Sequence, residues 1–455
     1  MPTADLVILG GGSGGYACAL RASQLGMSVV LIDQDKLGGT CLHRGCIPTK
    51  ALLHAAEVAD STRDSAHFGV LAAFEGIDMA KVNAYRDGVV GRLYKGLQGL
   101  VKSRNVTFVE GKGRLVAANA VEVNGERYEG LNVVLATGSY ARSLPGLEIG
   151  GRIMTSDQAL GLDYVPAKVI VLGGGVIGVE FASVWKSFGS EVTIVEALPH
   201  LVPNEDESCS KALERAFRKR GIAFTLGTRF ANATQDDAGV HVTLEDGTSM
   251  DADLLLVAVG RGPNTADMGY QEQAVAMDRG WVLVDDRLRT NLPGLYAVGD
   301  ITPGLQLAHR GFQHGIFVAE EIAGLAPAII EDVNIPRVTY CEPEVASVGL
   351  TEAQARELHG DGVVVYEYNL GGNGKSQILD TAGFIKLVQT KDGPVIGVHM
   401  VGSRIGEQIG EAQLIVNWEA TPTDVATLIH AHPTQNEAMG EAHLALAGKP
   451  LHAHG

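Results

Sequence analysis

Cysteine is scarce in this sequence, since its 455 residues include five. So few cysteines make no disulfide framework, and a bridge in such a chain is expected to be catalytic or redox-sensing. Long apolar runs are also missing, because none approaches the roughly 20 residues of a membrane span. The opening "MPTADLVILGGG" starts a strand-like run almost at once, whereas a secretory signal needs a basic region and a longer apolar core. We therefore expect a soluble cytoplasmic protein.

Basic residues are in the minority, with 36 Lys and Arg against 53 Asp and Glu and a net charge of −17. This balance argues against nucleic acid or an anionic membrane as a partner. Glycine, by contrast, is abundant at 58 residues, which indicates many tight turns and close backbone approaches. The length predicts several domains, because single hydrophobic cores stop growing well below it.

One pattern of glycines occurs twice. Each copy reads strand, glycine turn, helix and strand, and each has an acid 18 residues after its third glycine. The second copy is offset from the first by 163 positions throughout. The first copy contains Gly10, Gly12, Gly15 and Asp33, and the second contains Gly173, Gly175, Gly178 and Glu196. This is the dinucleotide-binding fingerprint in the strand–turn–helix context that it requires.

The chemistry of this pattern is specific. Glycines let the backbone approach a pyrophosphate, whose charge lies at the helix N-terminus, and the acid accepts hydrogen bonds from ribose hydroxyls. The alternative is a pair of tight turns that bind nothing. Two such sites in one chain favour two nucleotides, typically a flavin and a nicotinamide. The predicted fold class is α/β, with two Rossmann-like dinucleotide-binding domains.

Small β-meanders follow each fingerprint, with hairpin signals at Asn124-Gly125 and Asp246-Gly247. From about residue 335 the pattern changes to alternating strands and helices, one of which starts at the capping box "TEAQ", Thr351 to Gln354. We predict dinucleotide domains at 1–145 and 146–268, a central segment at 269–334, and an α+β C-terminal domain at 335–455.

Cys41 and Cys46 lie five residues apart in "GGTCLHRGCIPTK". Inside one helix their Cα atoms would be about 7.5 Å apart, whereas a disulfide usually needs roughly 4.4 to 6.8 Å. A bridge therefore requires Cys41 on a turn before the helix and Cys46 at its N-terminus, where the helix dipole lowers the pKa of a thiol. Buried unpaired cysteines are the alternative. Metal binding is less favoured, because the spacing is not CxxC.

Several stretches together resemble the flavoprotein disulfide reductases, class I of the pyridine nucleotide-disulfide oxidoreductases, and within them the dihydrolipoamide dehydrogenases. They are "GGTCLHRGCIPTKALL", "LATGS", "VAVGRGPNT", "LYAVGD", "YCEPEVASVGLT" and "HAHPTQNE", in the family's order from about Asp5 to the C-terminus. The resemblance implies FAD and NAD as cofactors, a homodimer, and the lipoyl domain of 2-oxo acid dehydrogenase complexes as a partner. The implied reaction is the NAD-dependent oxidation of protein-bound dihydrolipoamide.

The resemblance also implies roles for individual residues. Cys41 would exchange with substrate, and Cys46 would be the charge-transfer thiol against the flavin. Lys50, paired with Glu180, would lie near flavin N5, and Glu437 would hold the acid–base His432. The residues implied to bind FAD are Gly10, Gly12, Gly15, Asp33, Gly39, Thr40, Lys50, Thr137, Gly138, Asp300, Ala308 and His309. Those implied to bind NAD are Gly173, Gly175, Gly178, Glu196 and Gly260. Segment 269–334 would complete the FAD site, and 335–455 would form the dimer interface.

Plainer interpretations exist for several of these residues. Lys50 can be an ordinary solvated lysine, and Glu180 a carboxylate favoured in the first turn of a helix. Glu437 completes a possible capping box with Thr434. The sequence departs from the family at Gln435 and Asn436, where "HPTLSE" is expected. Cys18, Cys209 and Cys341 are predicted to be structural, His430 to be packing or surface, and no metal site is expected.

Related enzymes are distinguished by what this chain lacks. It ends "KPLHAHG", without the terminal redox pair of mercuric reductases and larger thioredoxin reductases. It differs from the soluble transhydrogenases in the opposite way, because they lack the first cysteine of the pair and this chain has it as Cys41. Glutathione reductases show basic residues where this chain has Glu196, whose charge would repel a 2′-phosphate. The remaining alternatives are another NAD(P)H-dependent disulfide or quinone reductase and, from a different class, a non-catalytic subunit of a complex.

Overall fold

A computed structural model describes residues 3–452. The first part of the chain forms a sheet around β1, whose residues Leu6 to Leu9 are buried. Such a continuous apolar run is typical of a parallel strand covered on both faces. The elements are β1 (Thr3–Leu9), α1 (Ser13–Gln24), β2 (Val29–Asp33), α2 (Gly39–Arg44), α3 (Cys46–Asp64), α4 (Met79–Ser103), β3 (Thr107–Glu110), β4 (Arg114–Ala117), β5 (Ala120–Val123), β6 (Glu126–Leu135) and β7 (Ser139–Ala141).

The strand order in this sheet is β3-β2-β1-β6-β5-β4. Strands β3, β2, β1 and β6 are parallel, and β4, β5 and β6 form an antiparallel meander. Asn124 and Gly125 join β5 to β6 with φ angles of 53° and 77°. Two consecutive positive φ angles match the right-handed twist of a two-residue hairpin, so this predicted turn is confirmed.

The second part of the chain repeats the design. Its main sheet has the order β11-β10-β9-β15-β8 and is entirely parallel, and β12, β13 and β14 form a separate meander. The Asp246-Gly247 turn lies between β13 and β14, as predicted. The elements are β8 (Ile153–Thr155), α5 (Ser156–Ala159), β9 (Lys168–Leu172), α6 (Val176–Phe188), β10 (Glu191–Glu196), α7 (Glu207–Arg220), β11 (Ala223–Leu226), β12 (Phe230–Gln235), β13 (Val240–Leu244), β14 (Ser249–Ala252) and β15 (Leu254–Val257).

After the second sheet the chain returns to the first one. Strand β19 pairs in parallel with β6, β16 pairs with β7, and α8 packs along α1. The two helices approach so closely that a Cβ at Gly315 would lie 2.2 Å from the carbonyl oxygen of Gly14. The elements of this segment are β16 (Arg261–Pro263), β17 (Met277–Asp278), β18 (Trp281–Val282), β19 (Leu295–Ala297) and α8 (Ala308–Ile322).

The C-terminal part is an antiparallel sheet of order β20-β21-β24-β23-β22. Helices α11 and α13 share a hydrophobic core with it, and the capping box predicted at Thr351 and Gln354 is present. The elements are β20 (Arg337–Thr339), β21 (Glu344–Gly349), α9 (Glu352–His359), β22 (Val363–Asn369), α10 (Gly374–Ile378), β23 (Phe384–Thr390), β24 (Val395–Gly402), α11 (Ile405–Asn417), α12 (Pro422–Val425) and α13 (Glu437–Leu446). The predicted fold class is confirmed. Within residues 3–452, no helix is long and apolar enough to cross a membrane.

Candidate active site

The two glycine turns are built in the same way. Gly10 has a φ of 111°, and a Cβ there would lie 2.1 Å from the carbonyl oxygen of Ala136. A Cβ at Gly15 would lie 1.7 Å from the carbonyl oxygen of Gly10. The second turn has the same geometry. Gly173 has a φ of 110°, and a Cβ at Gly178 would lie 1.9 Å from the carbonyl oxygen of Gly173. Each helix can pack on its turn because its third glycine has no side chain.

We expect Gly15→Ala to destabilise the protein. The added methyl group must displace the backbone of Gly10, and overpacking of this kind costs about 1–3 kcal/mol or more. The measurement is the thermal unfolding midpoint. Gly91→Ala is the control, because a Cβ at this position in α4 meets nothing within 4 Å, and alanine is the better helix former by about 1 kcal/mol. A Gly15→Ala midpoint equal to that of the wild type would contradict this account of the turn.

The two acids also have matching contacts. Each carboxylate accepts one hydrogen bond from the glycine directly after the first glycine of its fingerprint. It accepts another from the residue two positions after the acid itself. The donors are the backbone N–H groups of Gly11 (2.5 Å) and Asp35 (2.8 Å) for Asp33, and those of Gly174 (2.6 Å) and Leu198 (2.8 Å) for Glu196. Burial raises the pKa of Asp33, and its two hydrogen bonds only partly offset this. Both acids are thus fixed at the edge of their glycine turn.

A cleft opens beside the first glycine turn. Its walls approach closely, since a Cβ at Gly39 would lie 2.7 Å from the Cα of Gly12. The lining residues are Leu9, Gly10, Gly12, Asp33, Gln34, Asp35, Lys36, Gly39, Thr40, His43, Arg44, Lys112, Gly113, Ala136, Thr137, Gly138, Ser139, Asn264 and Met268. Bare backbone at a helix N-terminus, a ribose-binding acid and nearby cations are what a dinucleotide requires. The residues present therefore fit such a cofactor.

Seven of the residues implied to bind FAD line this cleft: Gly10, Gly12, Asp33, Gly39, Thr40, Thr137 and Gly138. Asp300 lies next to it, because its carboxylate accepts a hydrogen bond of 2.5 Å from Ser139 in the lining. Ala308 begins α8. His309 is exposed, and its Nε2 lies 2.7 Å from the carbonyl oxygen of Pro336. The structure thus does not bring His309 to the cleft.

Sequence reasoning missed the cations of the lining. Lys36 lies just before α2, Arg44 ends α2, and Lys112 comes from the loop before β4. Arg44 lies 3.0 Å from Asp35 in an ion pair. Arg44 lies inside the stretch "GGTCLHRGCIPTKALL", although the resemblance implies no role for it, and Lys36 and Lys112 belong to none of the quoted motifs. A search for basic residues just after the acid of a fingerprint would have found Lys36.

Cys41 and Cys46 face each other across a break between two helices. Cys41 lies in the short helix α2, and Cys46 begins α3, with Gly45 between them at φ −146° and ψ −114°. The two thiols lie close enough for each to shift the pKa of the other. The predicted position of Cys46 at a helix N-terminus is confirmed, with Pro48 in the first turn. The prediction of a simple turn at Cys41 is wrong, because the double glycine at 38–39 starts a helix of its own.

The two thiols differ in acidity. The hydrogen bond from Cys41 lowers the pKa of Cys46 to about 7 against the opposing effect of burial, and the charge of Lys50 acts in the same direction. The same hydrogen bond, together with burial, raises the pKa of Cys41. Cys46 is therefore the better thiolate of the pair. Only a thiolate acts as a nucleophile or leaves readily in disulfide exchange.

The other cysteines are buried, as predicted for structural residues: Cys18, Cys209 and Cys341. Burial raises the pKa of each one. Among the described residues, no group of three or more His, Cys, Asp and Glu side chains could hold a metal ion.

Lys50, which is half-buried, and Glu180, which is buried, form a junction between three parts of the chain. The ammonium of Lys50 on α3 lies 2.8 Å from both carboxylate oxygens of Glu180 on α6, and 4.7 Å from the ring centre of Tyr340. Glu180 also accepts a hydrogen bond of 3.0 Å from the backbone N–H of Tyr340. Burial is the largest single effect and acts to lower the pKa of Lys50, but the charge and hydrogen bonding of Glu180, together with the charges of Cys46 and Tyr340, outweigh it and the pKa is raised. Lys50 is therefore held as a cation.

Both plainer interpretations of this pair are wrong. Lys50 is not a freely solvated lysine, because it makes two contacts with a buried carboxylate. Glu180 is not a first-turn carboxylate, because α6 begins at Val176 and its first turn contains no acid. Its side chain is held by partners from outside its own helix.

His432 and Glu437 form a second pair at the start of α13. The Nδ1 of His432 lies 2.7 Å from one carboxylate oxygen of Glu437, and the other oxygen accepts a hydrogen bond of 2.7 Å from the backbone N–H of Thr434. Only this half of the predicted capping box is present, because the helix begins at Glu437 and the hydroxyl of Thr434 donates to Ala431. Glu437 thus holds the backbone of the preceding turn and orients His432 at once, while the side chain of His432 is 78% exposed.

Two dinucleotide folds that converge on a dithiol and a fixed lysine cation define a nucleotide-linked disulfide oxidoreductase. Residues 4–315 match the family model for the pyridine nucleotide-disulphide oxidoreductases, and residues 335–443 match that family's dimerisation domain. The chain belongs to the pyridine nucleotide-disulphide oxidoreductase family. This confirms the resemblance inferred from the motifs.

Relatives of known name agree with this assignment. The chain is 39% identical to a dihydrolipoyl dehydrogenase of Bacillus subtilis (strain 168) over 98% of this chain and 99% of that protein. Its fold matches the crystal structure of LpdA from Mycobacterium tuberculosis with a TM-score of 0.91 and 27% identity, over 98% of this chain and 100% of the other. It matches the HOCl-induced flavoprotein disulfide reductase RclA of Escherichia coli with a TM-score of 0.88 and 26% identity, over 98% and 100%.

Proposed function

We propose that this protein is an NAD-dependent dihydrolipoyl dehydrogenase that oxidises protein-bound dihydrolipoamide to lipoamide. The observation that carries the proposal is the Cys41–Cys46 dithiol beside the Lys50–Glu180 pair, where α3 of the first dinucleotide fold packs against α6 of the second. The protein is 39% identical to dihydrolipoyl dehydrogenases over nearly its whole chain, and this supports dihydrolipoamide as the substrate.

The two cofactors have separate sites in this proposal. FAD occupies the cleft of the domain at 1–145, completed by Asp300 in the segment at 269–334, and NAD occupies the turn of the domain at 146–268 beside Glu196 and Gly260. When bound, FAD would supply an acceptor for the electron pair of the dithiol, and NAD would supply an acceptor for hydride. Lys50, held as a cation by Glu180, sets the charge beside the dithiol.

The dithiol chemistry follows from the side chains. In the oxidised enzyme Cys41 and Cys46 are joined. His432 removes a proton from one thiol of dihydrolipoamide, and the resulting thiolate attacks Cys41, which breaks the disulfide and releases Cys46 as a thiolate. The second substrate thiol attacks the sulfur of its own molecule in the mixed disulfide and gives its proton to the departing Cys41 thiolate, so that lipoamide leaves, Cys41 becomes a thiol and the first proton stays on His432. Two electrons and two protons thus pass from the substrate to the enzyme.

A second copy of the chain completes the site. Residues 335–443 match a dimerisation domain. Four large apolar side chains are exposed near His432 in the sequence, on α11 and in the segment before the histidine: Leu414, Trp418, Leu428 and Ile429. A symmetric pairing that covers them would carry His432 to the partner chain. The lipoyl domain of a 2-oxo acid dehydrogenase complex is the proposed substrate carrier, and the proposed location is the cytoplasm.

A steady-state comparison tests the proposal. Purified protein is assayed side by side with dihydrolipoamide and NAD, with glutathione disulfide and NADH, and with a quinone and NADH. We expect dihydrolipoamide to give the highest kcat/KM and the protein to show flavin absorbance. Faster turnover of glutathione disulfide or the quinone would reassign the substrate, and a colourless protein would favour a non-catalytic subunit.

Glu196 is expected to make the enzyme prefer NAD over NADP by at least about tenfold in kcat/KM, or ~1.4 kcal/mol. Two backbone N–H groups fix its carboxylate at the end of β10, where it would repel a 2′-phosphate. The two nucleotides are compared in the wild type and in Glu196→Gln, which removes the charge and should narrow the ratio. Equal or reversed preference in the wild type would refute the assignment.

A further inference from the structure

We infer that Glu411 is a positioning residue that clamps both ends of the loop presenting His432. Its Oε1 lies 2.7 Å from Nε2 of His430, and its Oε2 accepts a hydrogen bond of 2.5 Å from Nδ2 of Asn436. The loop that presents His432 runs from His430 to Asn436, and α13 begins directly after it. One carboxylate on α11 therefore holds both the first and the last residue of this loop. This inference rests on the proposed function of His432.

The side chains that hold the loop are mostly buried, whereas the side chain that the loop presents is exposed. The side chain of His430 is 13% exposed and that of Glu411 is 22% exposed. The side chain of His432, two residues further on, is 78% exposed. The loop is therefore anchored inward at its ends and presents a single imidazole outward from its middle. His430 is a packing residue, which is one of the two roles that the sequence predicts for it.

The anchoring surface is closely fitted to the inner imidazole. A Cβ at Gly440 of α13 would lie 2.6 Å from Nδ1 of His430, so the ring lies directly against the helix backbone. Two further hydrogen bonds hold the loop between its ends. Gln435 donates to the carbonyl oxygen of Ser403 at 2.9 Å, and Asn373 donates to that of Thr434 at 3.0 Å. Gln435 and Asn436, where the chain departs from the family pattern, are thus both anchors.

The charges strengthen the clamp. Burial is the largest single effect and acts to raise the pKa of Glu411, but the hydrogen bonds with His430 and Asn436 and the nearby histidine charges together outweigh it, and the pKa is lowered. The hydrogen bond with Glu411 also raises the pKa of His430 against the effect of burial. Charge-assisted hydrogen bonds are roughly twice as strong as neutral ones. Proton transfer needs the base within hydrogen-bond reach of the thiol, and a displacement of about 1 Å can cost roughly 10²-fold in rate.

The test separates the two half-reactions of the holoenzyme. In an anaerobic stopped-flow experiment, flavin absorbance follows reduction of the enzyme by dihydrolipoamide, which needs His432, and by NADH, which does not. We expect Glu411→Ala to slow the first reaction at least about tenfold and to leave the second unchanged. In the steady state the loss should fall on kcat rather than KM.

Two further variants sharpen the result. Glu411→Gln should recover most of the rate, because an amide can accept from Asn436 and donate to His430. Glu441→Gln is the matched control: Glu441 on α13 pairs with a different histidine, with Oε1 2.9 Å from Nδ1 of His452. It should leave both half-reactions unchanged. If Glu411→Ala does not fold, Asn436→Ala opens one end of the clamp and should slow the dihydrolipoamide reaction selectively.

Each contrary result has its own meaning. Wild-type reduction by dihydrolipoamide in folded Glu411→Ala would overturn the clamp and leave the proposed function intact. Equal slowing of both half-reactions would show a merely structural role and would also overturn it. A wild-type enzyme that NADH reduces but dihydrolipoamide does not would instead overturn the proposed function itself.

Discussion

Cys41→Ser is expected to abolish dihydrolipoamide turnover, with a fall of roughly 10⁴-fold or more, while the enzyme keeps a thiolate beside its flavin. Cys41 is the sulfur that substrate attacks, so no disulfide can form or exchange without it. In this variant the charge of Lys50 still lies near Cys46. The hydroxyl of the new serine can replace the Cys41 thiol as the hydrogen-bond donor to Cys46. Its thiolate should therefore still give long-wavelength absorbance with the bound flavin.

Cys46→Ser should abolish both properties, since it removes the thiolate itself. The measurements are steady-state turnover and the visible absorption spectrum, recorded for the wild type after two-electron reduction and for both variants. Cys209→Ser is the control, because Cys209 is buried in α7 away from the pair. Normal lipoamide turnover by Cys41→Ser would show that the proposed relay is wrong.

The second large effect is expected from mixed dimers. Cys41→Ser and His432→Gln chains should each be nearly inactive alone, because one lacks the attacked sulfur and the other the base. If His432 serves the disulfide of the partner chain, a mixed dimer has one site with both lesions and one with neither. Random pairing should then restore about a quarter of all sites.

Two different affinity tags on the variants allow the mixed dimers to be purified and counted before the lipoamide assay. If His432 acted within its own chain, every site in a mixed dimer would carry one lesion and no activity would return. A verified mixed dimer without recovery would therefore rule out the shared site. NADH-driven reduction of a small electron acceptor that bypasses the disulfide serves as the internal control for folding.

The glycine turns and the dithiol could be predicted because their constraints are local. Gly15 and Gly178 must lack a Cβ wherever a helix packs on such a turn, and this requirement repeats at a fixed spacing. The position of Cys46 followed from Pro48 and the helical pattern after it. In these places the sequence neighbourhood alone determines the backbone.

The rest depends on contacts between distant residues. Glu180 lies 130 positions from Lys50 and 160 from Tyr340, so its role in joining them has no local signal. Glu411 likewise lies 25 positions from Asn436. The resemblance implies that His309 binds FAD, but its ring lies against the carbonyl of Pro336, a contact that only the tertiary structure reveals.

The register that repeats at an offset of 163 shows where the two copies differ. Both copies run strand, glycine turn, helix and acid-tipped strand, then cross over to the next parallel strand. In the second copy that crossover holds α7, whereas in the first it holds α2, α3 and α4, with both reactive cysteines. The redox centre therefore belongs to one lengthened crossover rather than to the scaffold. The two copies thus share one nucleotide-binding design, and the longer connection in a single copy carries the cysteines.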